Sequence, residues 1–161
     1  MAILTNPGRA AIAVAVKAQE IHMAWGSGQP SWDGGNTPAE NIDASALVAE
    51  FGRRRASQVL FCLPDANGPL FVPSGRFSPS DTPTKYLYMR FSFDFNDSPD
   101  QVIREIGIFM GTVAKPTVPV GQDYLLPSEV LNPGNILSLE NLARIDRNAQ
   151  TRQQFEFVIQ F

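Results

Sequence analysis

Cysteine is almost absent. The chain of 161 residues has one, Cys62. An internal disulfide is therefore excluded, and with it the disulfide-built secreted scaffolds. Histidine is as scarce: His22 alone would have to serve any Ser-His-Asp or Cys-His site. One His and one Cys do not make an N/S zinc set, and no carboxylate spacing matches an EF-hand loop. Gly26-Ser27-Gly28 has no Gly-Lys-Ser/Thr after it, so it is not a phosphate loop. Charge is thin, at 18% of residues against about 25% in ordinary domains. The net charge of −3 gives no electrostatic case for nucleic acid. Long hydrophobic runs are missing too. Ala10 to Val16 is apolar but too short to span a bilayer, and it lies between Arg9 and Lys17. No stretch has signal-peptide form. The expectation is a protein without cofactor, metal or membrane partner, folded in the cytoplasm.

Alternation is what the sequence has in abundance. In Tyr86 to Phe95, Leu87, Met89, Phe91, Phe93 and Phe95 point one way, and Tyr86, Tyr88, Arg90, Ser92 and Asp94 the other. This is the period of a strand with one greasy face. Phe155, Phe157, Ile159 and Phe161 repeat the pattern. Length alone predicts one domain, 1–161, able to bury about 70% of its unfolded surface.

Punctuation orders the rest. Thr5 or Asn6 caps a first helix with Pro7 at its start, and Ile12 and Val16 mark its packing side. Ile21 to Trp25 reads as a strand, and Gly26 to Pro38 as a loop. Asp43 or Ser45 caps a second short helix carrying Leu47 and Phe51, stopped at Gly52. Arg53 to Leu63 is a strand, followed by an Asn67-Gly68 turn of positive φ and a return strand over Leu70 to Phe77. Gln101 to Met110, Ile136 to Leu142 and a segment from about Arg152 complete the strands. The segment 111–135 is irregular and is expected to contact a partner. About two helices and six or seven strands predict an α+β domain: mainly an antiparallel β sheet or sandwich, with the N-terminal helix packed on it.

Catalytic signals are poor. His22 lies in an apolar run and reads as a strand residue. Arg104 and Glu105 point to opposite faces of their strand, so each is expected to find a cross-strand or loop partner. The chain is therefore expected not to be an enzyme. Candidate partner contacts are Trp32, Arg53, Arg55, Tyr86, Tyr88 and Tyr124. Alternation puts Arg53 and Arg55 on one face, where they suit an acidic partner. An alternative uses Trp25, Trp32, Tyr86 and Tyr88 to stack on sugar rings, as a carbohydrate-binding module or host-surface adhesin.

Four segments, in order, resemble the N-terminal region of phage tail-collar fibre and related tail or baseplate proteins. They are Leu4-Thr5-Asn6-Pro7-Gly8 before the Ala-rich helix; Ile21-His22-Met23-Ala24-Trp25-Gly26-Ser27-Gly28; Ala46-Leu47-Val48-Ala49-Glu50-Phe51-Gly52-Arg53-Arg54; and Ile103-Arg104-Glu105-Ile106-Gly107-Ile108-Phe109, the most distinctive. The resemblance implies a structural virion component of a tailed bacteriophage, made in the host cytoplasm. It would sit in the baseplate or tail-fibre attachment region. Its partners would be other tail or baseplate proteins and copies of itself, and it would act by binding. A fibre continues into a repetitive shaft and tip, whereas this chain stops at Phe161. The expectation is thus a free-standing attachment module.

Overall fold

A computed structural model describes all residues, 1–161. One α-helix, α1 (Asn6–Lys17), precedes the strands β1 (Ile21–Gly26), β2 (Glu50–Arg55), β3 (Gln58–Pro64), β4 (Leu70–Val72), β5 (Gly75–Pro79), β6 (Tyr86–Phe93), β7 (Val102–Met110), β8 (Val113–Ala114), β9 (Tyr124–Leu125), β10 (Val130–Asn132), β11 (Asn135–Asp146) and β12 (Gln153–Gln160). The class is α+β, mainly antiparallel sheet. Contacts group the residues into two compact units built from alternating segments: 1–19, 56–91 and 154–161, and 20–55 and 92–153.

The first unit holds α1 and the sheet β12-β6-β3-β5-β4. Thr5 caps α1, its hydroxyl accepting the Gly8 N–H (3.2 Å). The helix buries Ala13 and Val16, while Ile12 stays 40% exposed. The packing stripe is therefore one position away from the expected Ile12. Leu87, Met89 and Phe91 of β6 are fully buried, as alternation requires, each contributing about 1.5–3 kcal/mol. Tyr88 on the opposite face is also fully buried, against Cys62, Leu70, Val72 and Phe77, so both faces of β6 are covered there. Val158 of β12 packs on the same cluster. Phe155, Phe157, Ile159 and Phe161 are only half-buried, because β12 is an edge strand.

The expected return strand 70–77 is instead the hairpin of β4 and β5, which turns at Pro73 and Ser74 with Val72 facing Gly75. Proline removes a ladder donor, so the chain turns there. Neither Asn67 nor Gly68 has positive φ. The Asp65 carboxylate accepts the Asn67 N–H and Asp65 O accepts the Gly68 N–H (both 2.9 Å), which closes the turn another way. Gly68 is required because a Cβ there would strike the backbone of Phe77.

The second unit holds the sheet β11-β7-β1-β2-β9 and the ribbon β10-β8. β1 is buried along its whole length between β2 and β7. Trp25, fully buried, stacks on Phe93 (ring centroids 3.7 Å, 21° between planes). The expected second helix does not form: residues 43–49 are turns and bends leading into β2. The expected single strand 53–63 is two strands, β2 and β3, placed in different sheets.

Candidate docking surfaces

The second unit carries its long connections on buried charge. Neighbouring residues of a strand face opposite ways, and β7 uses this to grip the 27–49 connection twice. The Glu105 side chain, 1% exposed, accepts the N–H groups of Ala49 (2.7 Å), Val48 (2.9 Å) and Gly28 (3.3 Å). Those amides serve a carboxylate instead of a helical ladder, which is why no second helix forms. Gly26 leaves room for that carboxylate, since a Cβ there would strike it. Arg104, on the other side, grips both oxygens of Asp33 (2.7 and 2.8 Å) and donates to Ser27 O (3.0 Å). The guanidinium of Arg104 beside Asp33 lowers that carboxyl below the usual carboxylate range. Arg104 and Glu105 thus each have a loop partner. Gly107 is the seat of Leu47, which packs with Ala24 and Phe109.

Two further guanidiniums hold the remaining connections. Arg53, 2% exposed, forks onto Glu50 (2.8 and 2.8 Å), donates to Thr112 Oγ1 (2.9 Å) and Pro133 O (2.8 Å), and lies 4.3 Å from the Phe109 ring centroid. It clamps both ends of the 112–133 segment. Within that segment β8 pairs with β10 and β9 pairs with β2, so the stretch expected to be irregular is partly strand. Arg147 donates to the carbonyls of Asp97, Asp94 and Thr151, joining the 94–97 turn to the 147–151 turn. Asp97 accepts from Arg54 (2.5 Å). The connections end in bare apolar tips: Ile42 is 96% and Val120 107% exposed.

The six candidate contact residues are dispersed. Arg53 is consumed by the clamp just described. Tyr88 is fully buried, its hydroxyl accepting from Arg90 (3.0 Å). Neither offers surface to a partner. Tyr124 is half-buried, its oxygen accepting from Trp25 Nε1 (3.0 Å) and sharing a hydrogen bond with the Ser98 hydroxyl (2.7 Å); burial raises its phenol pKa. Trp32 is half-buried against Gly28. Arg55 is exposed and paired with Glu20 (2.5 Å). Tyr86 is half-buried and lines a groove of about 600 Å³ in the first unit, between Pro7, Ala10 and Val14 of α1 and Leu63 and Pro83. Sequence reading missed this groove. Its signal is that Val14 and Leu63, both apolar, fall on outward faces.

Trp25 is fully buried and presents no ring to a sugar. His22 is 5% exposed, with Nδ1 unpartnered; burial first, then Arg53 and Arg55, lower its pKa to about 4. Burial raises the Cys62 thiol to about 11, opposite to the shift that activates a nucleophile. No group of three or more His, Cys, Asp or Glu side chains is placed to hold a metal. No helix is long and apolar enough to cross a membrane.

Against known proteins, the chain matches a family model described as baseplate wedge 3 tail fiber network component, over residues 1–161. No curated protein matches it. The chain belongs to this family, which makes it a structural component of a bacteriophage baseplate and its tail-fibre network.

Proposed function

From membership of this baseplate family, we propose that the protein is an attachment or adaptor element. It joins neighbouring tail proteins to one another by protein–protein binding, without turnover. One observation carries the reading. The long connections of the second unit are fixed by buried charged clasps, yet end in exposed apolar tips at Ile42 and Val120. A loop already held in one conformation loses little entropy when it docks, so modest contacts give useful affinity.

The test is the double variant Ile42→Asp/Val120→Asp. Both side chains are bare, so the melting temperature of the purified chain stays within a few degrees of the parent. Incorporation into tails, measured by quantitative mass spectrometry of particles from a complemented deletion phage, falls at least tenfold. Normal incorporation and infectivity with both charges present would sink the reading.

A further inference from the structure

The two five-stranded sheets have four edges, and an unpaired edge templates a further strand unless it is guarded. Three are guarded. β9 has two residues and β4 three. β11 is long, but its register with β7 slips between Ile136 and Ser138 and again between Asn141 and Ile145. The 38–41 connection also covers β11: the Asn141 N–H donates to Glu40 Oε1 and its side-chain amide donates to Pro38 O (both 3.1 Å). β12 is different. Its eight residues include no Pro, Lys or Arg, and its one charge, Glu156, is already spent on Arg90 of β6 (2.9 Å).

The backbone shows which groups are free. The Phe161 N–H donates to Lys85 O (2.9 Å), and Glu156 sits beside Arg90, so β12 runs antiparallel to β6 in one register. In such a ladder alternate residues turn their N–H and C=O groups to the same side. Those of Phe157, Ile159 and Phe161 turn toward β6. Those of Gln154, Glu156, Val158 and Gln160 turn away from the sheet.

We propose that this edge pairs with β12 of a second copy, antiparallel about a twofold axis through Phe157. Gln154 then faces Gln160 of the second copy, and Glu156 faces its Val158, so all four outward residues find hydrogen-bonding partners. The strand complements itself in this register better than in its neighbours. A shift of two residues one way sets the two Glu156 carboxylates directly opposite each other, which is destabilising. The opposite shift leaves Gln154 facing nothing within the strand. The result is a closed, isologous contact that makes one ten-stranded sheet from two five-stranded ones.

The inference rests on the adaptor reading for its setting, but its test needs no particle. Sedimentation of the purified full-length chain shows a concentration-dependent dimer. Gln154→Pro and Gln160→Pro, each removing one outward N–H from an exposed position, weaken it tenfold or more with the circular dichroism unchanged. The double variant Gln154→Cys/Gln160→Cys oxidises to a covalent dimer, because facing Cα atoms lie about 5.5 Å apart. Either single variant does not, because its two copies are about 20 Å apart along the ladder. Cys62, fully buried, takes no part. A chain that is monomeric at every concentration overturns the proposal, as does a dimer indifferent to both prolines. Single-cysteine variants that cross-link as readily as the double also overturn it. A monomer whose β12 amides gain exchange protection only when a tail protein is added assigns the edge to a foreign strand, and leaves the adaptor reading standing.

Discussion

The two units of this protein are ordered by different physics. The buried Arg, Asp, Glu and His side chains, Arg53, Arg104, Arg147, Asp97, Glu105 and His22, all lie in the second unit. The first unit is held by apolar packing around β6, with its ion pair Arg90–Glu156 partly exposed. Apolar packing tolerates change in graded fashion. A carboxylate holding three amides does not: removing it leaves buried donors with no acceptor. The difference teaches that connections too polar to bury by hydrophobic packing are fixed here from beneath, by charges on the sheet. The two tryptophans, Trp25 and Trp32, both belong to the second unit. Their fluorescence therefore follows that unit, while circular dichroism follows both.

This contrast is breakable in stages. Glu105→Ala is the largest stroke, costing about 3–5 kcal/mol in the second unit. In denaturant titrations the tryptophan transition moves to lower concentration, and hydrogen exchange at Val48 and Ala49 accelerates. Leu87→Ala, in the fully buried row of β6, costs about 2–4 kcal/mol in the first unit. Its loss is the same at pH 5 and pH 7, since no charge is involved.

The pH response of the second unit comes next. The folded-state pKa of His22, about 4, lies below the ordinary 6.5, so the unfolded chain takes up the proton first as pH falls. The contribution is complete above about pH 6.5 and drains away toward pH 4, reaching about 3 kcal/mol. His22→Leu flattens that part of the stability profile, and a slope unchanged by the substitution would remove His22 as its source. The smallest effect is Arg144→Ala. Its pairs with Asp146 and Asp33 are open to solvent, which screens them, so the melting temperature stays within the scatter of repeat measurements.

The strands were legible in the sequence wherever the pattern is local. Alternation through Leu87, Met89, Phe91 and Phe93 announces β6, and the short apolar run Ile21 to Trp25, ended by Gly26, announces β1, which is buried along its whole length. Residues 43–51 have helix-compatible spacing yet form no helix. Their amides answer to Glu105, more than fifty residues away, and local propensity yields to such a contact. Arg104 and Glu105 were visible as polar residues in need of partners, but not which loop they held. Arg53 and Tyr88 looked like surface groups on a strand's polar face. That face is itself covered, by the 112–133 segment for Arg53 and by the β4–β5 hairpin for Tyr88. Only the assembled sheet reveals this second layer.

The gripping of the 27–49 connection has a practical consequence at its tip. Asp33 is anchored by Arg104, and Pro38 is engaged by Asn141. Between those moorings Gly34 and Gly35 adopt positive φ, and a Cβ added at Gly35 would point into open space. Foreign sequence spliced in at Gly35 would be tethered at both ends by bonds it does not disturb. The same tip is thus a ready graft site, where an epitope or heavy-atom label would mark each copy of the chain in images of the intact tail.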